Sequence, residues 1–147
     1  MANLTVTHTE DITLNGQQFG GTTIKSFTAI NEISKRILTI TVTESTIATF
    51  STAVASAGHY IAADARYIRF TNLDSTNFIT LTFRNQDNDE VAIKVDAGQS
   101  FILNGDNSNG MTAIFNATQD ADAASDTAFG SLTNIQADAN TGSCDLE

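Results

Sequence analysis

The chain has no proline and no tryptophan, and only one cysteine, two histidines and two tyrosines among its 147 residues. Each scarcity excludes something. A lone thiol, Cys144, cannot belong to an internal disulfide framework. No His, Lys or Arg lies beside it in sequence to lower its pKa, so it reads as a small apolar filler on a last strand. The two imidazoles, His8 and His59, fall short of the histidine and carboxylate set that a cupin-like metal centre must converge on one ion. Both are expected to be satisfied residues on strand faces. Without Trp, and with Tyr60 and Tyr67 as the only tyrosines, the flat ring platform of a lectin or glycosidase cleft is missing. A serine nucleophile would need one of the two histidines as its base, and no spacing flags either. Nor is there a glycine-rich phosphate loop. The expectation is a protein that is not an enzyme, with no catalytic residues, no cofactor and no metal.

Positive charge is also scarce. Seven basic residues stand against seventeen acidic ones, a formal charge of −10 that repels phosphate backbones and anionic lipid. The seven, Lys25, Lys35, Arg36, Arg66, Arg69, Arg84 and Lys94, are scattered and form no stripe interleaved with aromatics. Nucleic acid and membranes are not expected partners. No run approaches the roughly 20 apolar residues of a membrane-spanning helix, and MANLTVTHTEDITL has neither the basic nor the apolar segment of a secretory signal. Asn116-Ala117-Thr118 matches the N-glycosylation pattern, yet on such a chain it reads as a strand end.

What is present is period-two alternation, and enough apolar material to use it. Hydrophobic residues make up 41% of the chain, and a chain of this size hides about 70% of its unfolded surface. A single domain spanning residues 1–147 is expected. Leu4, Val6 and His8 share one face of a first strand, continued by Ile12 and Leu14 up to a turn at Asn15-Gly16. Gly20-Gly21 precedes a second strand over Thr22 to Ile30. Arg36 to Ser51 reads as a strand pair kinked at Glu44-Ser45 that passes from one sheet to another. Ala53 to Gly58 is a connector or a single helical turn, and His59 to Ala62 a short strand.

From Tyr67 to Asn104 four alternating runs follow one another: Ile68 and Phe70, then Ile79, Leu81 and Phe83, then Val91, Ile93 and Val95, then Phe101 and Leu103. Short turns at Leu73–Asn77, Asn85–Asp89 and Asp96–Gly98 predict an antiparallel meander. Strands are also predicted over Met111 to Asn116, Leu132 to Ala139 and Thr141 to Leu146, with a loop or short amphipathic helix at Gln119 to Gly130. Short strands at about 10-residue spacing predict an all-β, antiparallel sandwich of jelly-roll or related Greek-key topology. The nine Phe residues, mostly at alternating strand positions, are expected in its core.

With no proline to blunt an edge strand, the edges of such a sandwich are candidates for cover by another subunit. Three acidic clusters remain: Asp87-Asn88-Asp89-Glu90, Asp106-Asn107-Ser108-Asn109, and Asp120, Asp122 and Asp126. Oxygen-rich loops of this kind can hold Ca²⁺, but none has EF-hand spacing. Asp and Asn bonding their own backbone in turns explains them better, with Asp87 to Glu90 the one retained as a calcium candidate.

RYIRFTNLDSTNFITLTFRN followed by AIKVDAGQSFILNG, the phrase YIR-TN-D-TN and then GQSF, resembles small virion structural proteins of tailed bacteriophages, especially marine and cyanobacterial phages. The likeness covers Arg36 to Asn104. It implies a β-sandwich subunit of the virion, assembled in the host cytoplasm, commonly trimeric and without a cofactor. It transfers no site residues, because such proteins act through packed faces. The function it implies is a capsid decoration or cement protein that self-associates and binds the major capsid protein. The alternative is a tail, collar or fibre module contacting host surface glycan.

Overall fold

The computed structural model describes residues 1–54, 56–112, 114–115 and 131–147. Among these it is all-β, with several sheets and no helix. The chain divides into two compact units, Met1–Ser34 and Lys35–Glu147.

In the first unit β1 (Ala2–Glu10) and β4 (Gly21–Ile30) form an antiparallel ribbon, with β2 (Thr13–Leu14) and β3 (Gln17–Gln18) as a small hairpin between them. Asn15 and Gly16 turn that hairpin with φ of 52° and 77°. Two successive left-handed residues are what a two-residue hairpin turn twisted like its strands requires, and Asn-Gly supplies them at least cost. Gly20 has a different reason. A Cβ there would lie 2.0 Å from the Glu10 carbonyl oxygen, so only glycine lets the ribbon continue past the tip. Ladder pairing sets Leu4 opposite Phe27 and Val6 opposite Lys25 on one face. Thr5, Thr7 and Thr9 face Ser26, Ile24 and Thr22 on the other.

The second unit holds β5 (Leu38–Ile40), β6 (Ser45–Ser51), β7 (His59–Ile61), β8 (Tyr67–Thr71), β9 (Ile79–Asn85), β10 (Glu90–Val95), β11 (Ser100–Asn104), β12 (Leu132–Ala139) and β13 (Cys144–Leu146). One sheet runs in the order β10-β9-β12-β6-β7. Two further ladders pair β13 with β5 and β11 with β8. Backbone bonds join these two ladders. Thr71 N donates to Glu147 O (2.8 Å), Glu147 N donates to Thr71 O (2.9 Å) and Leu73 N donates to Asp145 O (2.8 Å). The resulting run is β5-β13-β8-β11.

Buried side chains from both groups share one core: Phe70, Leu103 and Leu146 from the second run, with Ile79, Phe83 and Ile135 from the five-stranded sheet. Such packing of apolar strand faces is compatible with a β-sandwich.

Several expectations need correcting. The four strands from Tyr67 to Asn104 are not a meander: only β9 and β10 are hairpin neighbours, while β8 pairs with β11, Thr71 opposite Ser100 through to Tyr67 opposite Asn104. Alternation says which face of a strand is buried, and both arrangements bury the same residues. The connections 72–78 and 96–99 cross between sheets and tie to each other, Asn72 N donating to Gln99 O (2.9 Å) and Gly98 N to Asn72 O (3.1 Å).

One pair is parallel, β6 with β7, across only Thr49 to Ser51. Thr49 N donates to Gly58 O (2.8 Å), so the connector closes back on its own strand. The break in Arg36 to Ser51 falls at residues 41–44, and the two halves do lie in different sheets. The expected strand from Met111 is replaced by turns, with Thr112 N bonding Asn109 O (3.1 Å) and Ile114 N bonding Met111 O (3.3 Å). Gly110 (φ 58°), with its Cα packed onto the Ala62 and Ala63 carbonyls, stops the chain from running straight. The Asn116-Ala117-Thr118 motif, Asp120, Asp122 and Asp126 lie outside the described residues.

Candidate functional site

His8 stands exposed on β1 in the first unit, and His59 stands half-buried on β7 in the second. His59 borders an open concavity of about 320 Å³ lined also by Arg36, Leu38, Thr46, Ile47 and Thr49. The Arg36 guanidinium donates to the Ile47 carbonyl there, holding β6. Among the described residues no side chain hydrogen-bonds the His59 imidazole. Among the described residues, too, no three His, Cys, Asp or Glu side chains converge as a metal site would require.

The acidic turns are occupied by their own backbone. In Asp87 to Glu90 the buried Asn85 organises the turn: its Oδ1 accepts from Asp87 N (2.9 Å) and Asp89 N (2.8 Å), and its Nδ2 donates to Asp89 Oδ2 (2.9 Å). Glu90 is taken by Arg84, whose Nε donates to it at 2.8 Å. Asn88 carries the positive φ (67°) that closes the turn. Asp106 likewise accepts from Ser108 N (2.6 Å) and from Asn109 N. At Asp74 backbone bonds from Asn77 and Thr76 stabilise the carboxylate and lower its pKa below the ordinary value of 3.8. These are side chains that shape turns, and sequence reasoning anticipated that role for Asp and Asn. It missed Asn85 as the organiser, because nothing in NQDND marks which amide is buried.

Cys144 lies on β13, 1% exposed. Burial raises its pKa, and the Asp74 and Asp145 carboxylates add to that. Both effects favour the neutral thiol, which is unreactive. The expected result is that the folded protein does not react with an aromatic disulfide reagent at neutral pH, and that one thiol per chain is released when denaturant unfolds it. Fast labelling of the native protein would contradict the burial.

The cations are engaged as well. Lys35 and Arg69 both pair with Glu147, Arg84 with Glu90 and Lys94 with Asp96 (2.6 Å). Arg66 donates to the Ala63 (2.6 Å) and Asp106 (3.2 Å) carbonyls, and Lys25 lies 5.6 Å from the centre of the Phe27 ring.

What the surface does offer is strand edge and exposed apolar side chain. The five-stranded sheet ends at β10, the other run at β11, and in the ribbon of the first unit β1 pairs only with β4 among the described residues. Ile12, Leu14 and Phe19 are 54%, 57% and 60% exposed. Ile12 and Leu14 are two residues apart, and Phe19 N bonds Ile12 O (2.9 Å), so all three share one face of the small hairpin. Its other face is polar, with Thr13 Oγ1 donating to Gln18 Oε1 (2.6 Å) and Gln18 Nε2 to Asp11. The core expectation for Phe therefore fails at Phe19, and its place beside Gly20-Gly21, outside any alternating run, is the signal that it lies off the core strands.

Comparison of the chain with protein-family models, with curated proteins and with solved structures gives no match.

Proposed function

We propose that the chain is a virion structural protein of a tailed bacteriophage, a capsid decoration subunit built on a jelly roll that self-associates and binds the major capsid lattice. The supporting topology is the nesting of four antiparallel ladders: β9 with β10 innermost, then β8 with β11, then β6 with β12, and β5 with β13 outermost. Nested pairs that alternate between two sheets are how a doubled ribbon rolls into a jelly roll. In this reading β7 is an insertion and the Met1–Ser34 unit an appendage.

The reading rests on the resemblance of the phrases in Arg66 to Asn104 to phage virion proteins, and the observation that supports it is a fold whose distinctive surface is edges and apolar knobs. Charge agrees with a place outside the particle. A chain of net −10 whose cations are held in ion pairs, by carbonyls or over a ring has little to offer packaged DNA.

The test is co-sedimentation of the purified chain with mature capsids of its parent phage stripped of minor proteins. Saturable binding in fixed ratio to the major capsid protein is the expected result. Binding to host cells or surface polysaccharide with no affinity for capsids would replace this reading with the tail or fibre alternative.

A further inference from the structure

The ribbon of the first unit has properties that a finished surface does not. Of twelve large apolar side chains left exposed among the described residues, six (Met1, Ile12, Leu14, Phe19, Ile24 and Ile33) fall within Met1–Ser34, less than a quarter of the chain. β1 offers an outer edge nine residues long, Ala2–Glu10, with no proline, no lysine and one charge, Glu10, at its end. Among the described residues nothing defends it against pairing. A two-stranded ribbon alone is marginally stable in water, and a third strand is what usually secures it. The unpaired edges of the second unit match β1 poorly. β10 is six residues with Glu90 and Lys94 on it, β11 is five, and β5 and β7 are three each.

We propose that this ribbon is a self-association arm, in which the β1 edge of one copy pairs antiparallel with the β1 edge of a second copy about a twofold axis. The proposal rests on the self-association in the function above and deepens it by naming the element. Full overlap of Ala2–Glu10 with itself sets the register: Ala2 opposite Glu10, Leu4 opposite His8, and Val6 opposite Val6 of the second copy. Opposed residues then have the same parity, so the Leu4 and Val6 face continues across the junction and so does the Thr face. The same register carries each apolar tip past the Ala2–Ile30 rung of the other arm, toward the end where Met1 and Ile33 are exposed.

Area decides whether this suffices. The three tip side chains, each over half exposed, offer on the order of 300 Å² per copy, and a nine-residue edge about 30 Å long adds roughly as much again. Either alone falls short, but the two from both copies total about 1,200 Å², the lower bound of a stable specific interface. The pairing is isologous, so it makes an even-numbered assembly in place of the threefold one that the phage resemblance implies.

The test uses the full chain. Light scattering at micromolar concentration is expected to give a dimer. In Val6→Cys the two thiols meet across the axis with Cα atoms about 4.5 to 5.5 Å apart, within disulfide reach, so mild oxidation yields a covalent dimer. The unaltered chain is the control, its one thiol being buried. If Val6→Cys fails to fold, mixing Thr5→Cys with Thr7→Cys places the thiols on the exposed face, and only the mixture cross-links efficiently. The pair Ile12→Glu with Phe19→Glu is expected to raise the dissociation constant at least about tenfold. A monomeric or trimeric unaltered chain, or a dimer that neither cysteine design cross-links, overturns the proposal. A monomer that still decorates capsids would overturn this inference and the self-association it rests on, and leave capsid binding standing.

Discussion

Phe83→Ala is expected to lower the stability of the protein by about 3 to 5 kcal/mol, the range for removing a large buried ring. Phe83 is fully buried in the middle of β9, paired with Val91 of β10 and Ile135 of β12. Its ring centre lies 6.5 Å from Phe70 on β8 in an edge-on arrangement, 5.8 Å from Phe101 on β11 and 5.4 Å from Phe115. It is therefore the ring by which the five-stranded sheet grips the β8 and β11 strands. Truncation removes the transfer energy of the ring and leaves a cavity whose walls are strands held at fixed spacing by their ladders. Denaturant unfolding measures the change. Phe78→Ala is the comparison, since Phe78 is only half-buried, with Lys94 Nζ 4.7 Å from its ring centre. A loss at Phe83 no larger than at Phe78 would mean that the sheets are not joined through this cluster.

Replacing Asn72 by leucine is expected to cost a similar amount, about 3 to 5 kcal/mol, for a different reason. Asn72 is fully buried at the end of β8, and its amide is a junction. Nδ2 donates to the carbonyls of Asn77 (2.8 Å) and Val95 (3.1 Å), while Oδ1 accepts from Asp74 N (3.0 Å). Three backbone groups from the 72–78 connection and from β10 thus depend on one side chain. Leucine keeps the branching and the number of heavy atoms but is bulkier, so it crowds the site as well as leaving these groups unpaired in the interior, each at a cost of about 1 to 3 kcal/mol. Relaxation and water entry recover part of that sum. Ser75→Ala, exposed in the same connection, is expected to change stability by less than about 0.5 kcal/mol. Thermal unfolding of the two variants distinguishes the network from a general sensitivity of the loop. Near-equal stabilities would show that Asn72 is replaceable and that the crossing is held by its backbone alone.

These two positions also show what was legible beforehand. Phe83 announced itself, since ITLTF alternates and one face must be buried; the strand and its inward residues follow from side-chain period alone. The Asn15-Gly16 turn was legible for the same local reason, because two left-handed residues in succession admit few other pairs. Leu132 to Ala139 coincides with β12. Asn72 was not legible. In TNLDSTN it looks like any other turn residue, and its burial arises only because the 72–78 and 96–99 connections come together over the end of the core.

The apolar tip lay between the two cases. The alternation of Ile12 and Leu14 was visible, but whether those residues face a core or water depends on what packs against them.

By itself, then, the sequence determined local elements: short strands, their inward faces and Asn-rich turns. Those properties depend on residues a few positions apart. The tertiary structure alone decided that β8 pairs with β11 rather than with β9, that β6 accepts a parallel neighbour, and that the first thirty-four residues form a ribbon whose β1 edge is unpaired among the described residues. Pairing partners are chosen by ladder hydrogen bonds and shared burial between residues distant in sequence, as Tyr67 is from Asn104, and period-two alternation is the same whichever partner is chosen.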